Sequence, residues 1–184
     1  RDVAPSRGLG DVYKRQKCQQ DVIHAFGLYQ KYYNSNSRLI LVGNEGGYET
    51  YKLKMQKYAQ LNCIKNVIFT GHIRFAEILA CYKAADLFLC MSEHEGFCVP
   101  LVEAMYFKIP VVAYNSSAVG ETLGKGGILL NEKNALETAA LMDKILKDKG
   151  LQKKIIANQN ERLDDFAHDK ILARFNELLR ENVL

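Results

Sequence analysis

Short apolar runs recur along this chain and alternate with segments of helical period. The runs are RLILVG (38–43), NVIFTG (66–71), DLFLCMS (86–92), IPVVAYN (109–115) and GGILL (126–130). A strand with one wet face alternates apolar and polar residues. An uninterrupted apolar run instead predicts a strand covered on both faces. Between the runs, QQDVIHAFGLYQKYY, YETYKLKMQKYAQLN, FAEILACYKAA, VPLVEAMYF and VGETLG predict helices or helical turns. ALETAALMDKILKD and one or two further helices predict the C-terminal end. Strands alternating with helices predict an α/β fold built on a doubly wound parallel sheet, Rossmann-like.

A chain of 184 residues with 48% apolar content supports one well-packed domain. No apolar run approaches the roughly 18 residues that a membrane span needs. No leader pattern is visible at the first residues. Residues 1–16, RDVAPSRGLGDVYKRQ, follow neither a period of two nor one of 3.6. They read as a foreign or irregular tail, so the domain is expected over 17–184, without its first strand. The tail carries Arg1, Arg7, Lys14 and Arg15 against Asp2 and Asp11, half of the formal net charge of +4. The nearly neutral remainder argues against nucleic acid as a partner. The five cysteines are scattered, with neither metal nor redox spacing, which fits a reducing cytoplasm.

In an open parallel sheet, ligands bind beyond the carboxyl ends of the strands. Here those ends fall at 43–47, 70–74, 92–100 and 114–120. The third is the most informative, MSEHEGFCVPLVEAM (91–105). Pro100 suits the first turn of a helix, where its missing N–H removes no bond. The amides of that turn and the helix dipole point back at residues 95–99, an arrangement suited to a phosphate. Gly96 lets backbone approach a ligand. Phe97, Val99 and Leu101 can fill the core or wall the pocket. Glu95 lies at the rim. Glu103, one turn into the helix, can accept two hydrogen bonds from a vicinal diol such as a ribose. Alternatively, both acids simply complement the positive helix end. His94, between Glu93 and Glu95, is a poor metal ligand, because adjacent residues rarely converge on one ion. Cys98 reads as a packing residue. Tyr29, Tyr32, Tyr33, Tyr51 and Tyr58 read as helix faces, some of them suited to meet a second domain.

The stretch GHIRFAEILACYKAADLFLCMSEHEGFCVPLVEAMYFKIPVVAYNSSAVGETL, preceded by LILVG and NVIF, resembles the donor-binding, C-terminal half of GT-B glycosyltransferases of family 4. The resemblance implies transfer of a sugar, with retention, from a nucleoside diphosphate sugar to a hydroxyl acceptor. It implies no metal or other cofactor, in agreement with the lack of an Asp-x-Asp motif, and a UDP-sugar is the favoured donor. It implies that Glu103 holds the ribose and that Glu95 contacts the donor sugar. Amides around Cys98, Val99, Pro100 and Leu101 would line the diphosphate, although proline has no N–H to give. Ile73, after Gly71 and His72, would meet the base, and Gly43 closes the LILVG element. Lys17 looks like the lysine that neutralises the departing diphosphate. The strand carrying the family's partner arginine should precede Lys17, and neither Arg7 nor Arg15 inherits that role. Lys108 stands where many relatives have glycine. The N-terminal acceptor-binding domain is missing from this sequence, so the piece alone is expected to be inactive. Polysaccharide synthesis at the inner face of the membrane is the expected setting, with any membrane contact made through the missing half. The rival readings are a GT-B epimerase of nucleotide sugars and a non-catalytic module that keeps only the fold.

Overall fold

The computed structural model describes residues 15–43 and 49–183. The loop after the first strand, read above as a ligand-facing strand end, lies outside the described residues from 44 to 48. So do residues 1–14 of the expected tail.

The elements follow the predicted alternation. A 3-10 turn (Arg15–Lys17) leads into α1 (Gln19–Tyr32), β1 (Leu39–Leu41), α2 (Glu49–Leu61), β2 (Val67–Phe69), α3 (Phe75–Ala84) and β3 (Phe88–Cys90). Then come α4 (Val99–Tyr106), β4 (Val111–Tyr114), α5 (Val119–Leu123), β5 (Ile128–Leu130), α6 (Ala135–Lys147), α7 (Lys149–Asp164) and α8 (His168–Val183). Arg15 and Gln16, the end of the segment expected to be foreign, form the 3-10 turn together with Lys17.

All strand pairs among the described residues are parallel, as expected for a doubly wound α/β domain. The strands form two sheets, however, where the sequence predicts one. β1 pairs with β2 through Leu39↔Val67, Ile40↔Ile68 and Leu41↔Phe69. β4 pairs with β3 on one side and β5 on the other. Among the described residues no ladder joins the two sheets.

Coverage differs between the sheets, which corrects the expectation that every strand is buried on both faces. Val111, Val112 and Ala113 of β4 are fully buried. Leu101, Ala104 and Met105 of α4 and Val119 and Leu123 of α5 pack in one cluster with Val111 and Ala113. Ile145 of α6 and Ile155 of α7 pack on Val112. In the first sheet, Leu39, Leu41, Val67 and Phe69 pack on Ile23, Met55 and Ala59 of α1 and α2. The alternate residues Ile40 and Ile68 are 39% and 45% exposed.

Helix α1 joins the halves. Its Ile23 belongs to the β1–β2 cluster. Its Tyr29, 5% exposed, packs with Ala139 and Met142 of α6. Polar side chains complete the frame where backbone would otherwise be unsatisfied. The fully buried Gln159 of α7 donates to the Ile109 carbonyl at 2.8 Å. Gln30 of α1 accepts from the Lys65 amide at 2.9 Å and donates to its carbonyl at 3.1 Å.

Candidate functional site

Strand β3 ends at Cys90. After the buried Met91 and Ser92 the chain leaves the core and re-enters at α4. Cys98 makes the turn into the helix in the left-handed region, with φ 64° and ψ 61°. Few residues other than glycine adopt that conformation. Pro100 sits in the first turn of α4, as the sequence predicts.

Lys17 and Glu95, far apart in sequence, meet on this loop. The Lys17 ammonium donates to both carboxylate oxygens of Glu95, at 2.8 and 3.0 Å. Their side chains are only 19% and 9% exposed. Water screens such a pair much less than a surface ion pair.

The loop is fixed from several sides. The Glu95 amide donates to Ser117 Oγ at 2.8 Å, and the Ser117 hydroxyl donates to the Glu95 carbonyl at 3.1 Å. Ser116 Oγ donates to the Ser92 carbonyl, and Thr122 Oγ1 to the Phe97 carbonyl. The Glu93 amide donates to the Gln16 carbonyl at 2.8 Å. Phe97 meets Phe166 edge to face at 5.6 Å, and the Arg162 guanidinium lies over the Phe166 ring at 4.6 Å. Arg162 also donates to the Thr122 and Glu121 carbonyls, which ties α7 to α5 behind the loop.

Beside this loop, Lys133 bridges Asp21 of α1 at 2.9 Å and Glu93 at 2.8 Å, with its ammonium 4.9 Å from the centre of the Tyr114 ring. Burial pulls the lysine's pKa down. Hydrogen bonds to Glu93 and Asp21 more than offset this and hold the ammonium above the ordinary lysine range. The same contact holds the Glu93 carboxyl below its usual range.

Glu103 lies one turn into α4 and accepts a hydrogen bond from the Tyr82 hydroxyl of α3 at 3.0 Å. Burial, and then the Glu103 charge, push the Tyr82 phenol far up, so it stays protonated and donates. An apolar hollow of about 310 Å³ opens beside this pair, lined in part by Phe75, Leu79, Val102 and Tyr106.

The other expected residues are distributed as follows. Gly43 is buried just past β1. Gly71 follows β2 with φ 66°, which favours glycine. His72 is exposed and Ile73 half-buried on the way into α3. A Cβ placed on Gly96 would meet no atom within 4 Å, so that side of the loop is open. Val99 is half-buried at the start of α4. Leu101 is fully buried, and its amide donates to the Cys98 carbonyl at 3.0 Å. Phe97 is 45% exposed and packs on Phe166 at the surface rather than in the core.

Cys98 packs in the core, as the sequence reading expects, and Cys90 packs with it. Cys90 and Cys98 are both buried, with their sulfurs 4.0 Å apart. Their separation of eight residues carries no known redox or metal spacing. The strand–loop–helix turn brings them together. The hydrogen bond shared by the two sulfurs holds the Cys90 thiol below its ordinary range despite its burial. The same bond, with burial, raises Cys98.

Three residues escaped the sequence reading. Ser117 stands in NSSAV, within a strand end already identified as ligand-facing. Tyr82 lies in the YKAADLFL element. Lys133 gave no signal, because its partners Asp21 and Glu93 are 112 and 40 residues away.

Residues 11–162 match the family described as glycosyl transferases group 1. The N-acetyl-alpha-D-glucosaminyl L-malate synthase of Bacillus anthracis is 26% identical over 170 residues, covering 90% of this chain and 42% of that protein. The structure resembles the C-terminal domain of a glycosyl transferase group 1 protein (LpcC) from Francisella tularensis. There the TM-score is 0.71 at 26% identity, covering 82% of this chain and 80% of that one. It also resembles the Anabaena protein HepE in complex with UDP, with a TM-score of 0.78 at 25% identity, covering 93% of this chain and 47% of that one. The chain thus spans less than half the length of its Bacillus and Anabaena relatives and most of the isolated C-terminal domain. The described α/β fold is that of the Rossmann-like half of a GT-B glycosyltransferase, and the chain belongs to the glycosyl transferases group 1 family.

Proposed function

We propose that this domain binds a nucleoside diphosphate sugar at the carboxyl ends of β3 and β4, and that the whole protein transfers the sugar to a hydroxyl acceptor with retention. The observation that carries this reading is the bidentate Lys17–Glu95 pair, set on a loop held by Ser117 and Thr122. An arriving diphosphate competes with Glu95 for the Lys17 ammonium. Lys17 then neutralises the charge that develops on the leaving nucleoside diphosphate as the bond from the anomeric carbon to oxygen breaks. Glu95, released from the lysine, accepts hydrogen bonds from the sugar. Glu103, oriented by Tyr82, accepts the ribose hydroxyls. Gly96 leaves room for the donor on the open side of the loop. The chemistry runs without a metal, and UDP is the favoured nucleoside diphosphate. The resemblance to the UDP complex of HepE supports that choice.

The acceptor enters from a second domain, which the chain's coverage of its relatives leaves room for. Helix α8 offers that domain a docking face. Ile171, Leu172, Phe175, Leu178 and Leu179 recur at helical spacing and are 40–56% exposed. No described helix is long and apolar enough to cross a membrane. We place the reaction at the cytoplasmic face, with any membrane contact made through the second domain.

The test is calorimetric titration of UDP, GDP and ADP into the chain, into Lys17→Ala and into Glu103→Ala, with circular dichroism to confirm folding. The expected result is saturable binding of UDP, weakened about 10–100-fold by either substitution, the loss of a charge-assisted hydrogen bond. Folded wild-type protein that binds none of the three nucleotides would overturn the reading.

A further inference from the structure

The Cys90 and Cys98 sulfurs and a Glu95 carboxylate oxygen all lie within 4.8 Å of one another. We propose that these three side chains form a binding site for a thiophilic divalent cation of the zinc or cadmium class.

The geometry suits a metal. Two metal–sulfur bonds of about 2.3 Å at a tetrahedral angle place the sulfurs about 3.8 Å apart. The observed separation is 4.0 Å. It is about twice a disulfide bond length, so the pair as it stands is a dithiol. Two sulfurs and one oxygen form a donor set that soft divalent ions prefer to magnesium or calcium, with water able to complete the tetrahedron.

The charges also balance. Two thiolates and the Glu95 carboxylate carry three negative charges. Lys17, 2.8 Å from Glu95, supplies one positive charge and the ion two. The occupied site is neutral, which a buried position requires. Binding releases the thiol protons to water.

The other carboxylate–thiol grouping, Cys18, Asp21 and Glu93, makes a useful contrast. Lys133 bonds both of its acids, so a cation already stands between them. At the Cys90–Cys98 site, Lys17 bonds the one carboxylate, and a carboxylate can bind an ion through one oxygen while keeping the lysine on the other. Because Glu95 is shared, a bound ion also competes with donor binding. That consequence rests on the function proposed above, whereas the site itself does not.

The experiment is titration of cobalt(II), as a spectroscopic stand-in for zinc, into the reduced 184-residue chain with a non-thiol reductant present. The expected result is one ion per chain with a thiolate-to-metal absorption band. The band should persist in Cys18→Ser/Cys63→Ser/Cys81→Ser and vanish in Cys90→Ser and in Cys98→Ser. In Glu95→Gln the affinity should fall by at least about tenfold. Should either serine variant fail to fold, the wild-type protein gives the answer through alkylation mapped by mass spectrometry. One equivalent of zinc should slow the alkylation of Cys90 and Cys98 relative to the zinc-free chain, in which both thiols are already buried, and leave the rates at Cys18, Cys63 and Cys81 unchanged. A chain with no thiolate band, a band that survives in folded Cys90→Ser or Cys98→Ser, or zinc that leaves Cys90 and Cys98 unprotected would overturn the proposal.

Discussion

The two sheets are built from sequence runs that look alike, yet they end in different surroundings. LILV and VIF are as apolar as VVAY. The middle residues of β4 are fully buried, whereas Ile40 and Ile68, at the middle of β1 and β2, are more than a third exposed. The difference lies in what covers them. β4 has α4 and α5 on one face and α6 and α7 on the other. β1 and β2 have α1 and α2 on one face. An apolar run therefore states what a strand can tolerate, and its neighbours decide what it receives. Glu95, the acid of the charged pair that carries the proposed function, sits on the loop of the well-covered sheet, and Lys17 reaches it from the 3-10 turn before α1.

The largest effect expected from this contrast is in the core. Ile145→Ala, beneath Val112, should cost about 2–5 kcal/mol in urea unfolding. Ile40→Ser or Ile68→Ser should cost about 1 kcal/mol or less, as for exposed positions. Equal losses at Ile145 and Ile68 would break the comparison.

The joint between the halves gives the next test. Tyr29→Ala removes a buried ring between α1 and α6 and should cost about 3 kcal/mol or more. Hydrogen exchange should quicken in α1, α2, β1 and β2 before it quickens in β4. Uniform quickening would show that the halves do not open separately.

Lys133→Met removes the ionic clamp between α1 and the site loop and should cost about 1 kcal/mol near neutral pH. The sign of its pH dependence follows from the two shifts. Lys133 titrates higher in the folded state. Its contribution is complete below the unfolded value of 10.5 and is lost as pH rises through the folded value. Glu93 titrates lower when folded. Its contribution is present above 4.5 and is lost as pH falls through the folded value. The stability difference between wild type and Lys133→Met should thus be flat through neutral pH and shrink toward both extremes. A difference that grows toward acid would contradict the assignment of the clamp.

The smallest effect is a gain. Lys108 follows α4 at φ 58°, in the left-handed region. Its side chain is exposed. Lys108→Gly should stabilise the chain by up to about 1 kcal/mol in the same unfolding assay.

Periodicity alone placed the elements well. The QQDVIHAF segment became α1, VPLVEAMY became α4 with Pro100 in its first turn, and all five apolar runs contain strands. These are local properties, set by spacing and backbone chemistry within a few residues. The resemblance named Lys17, Glu95 and Glu103, but no local rule says that Lys17 reaches Glu95 across the fold or that Tyr82 orients Glu103. Lys133, Ser117 and the Cys90–Cys98 pair belong to the same class. Their contacts arise where chain segments far apart in sequence converge at the strand ends, and sequence spacing carries no record of that distance. The split of the sheet has the same origin. A strand's hydrogen-bond capacity is written in its own backbone, but its partner is chosen by the packing of the whole domain.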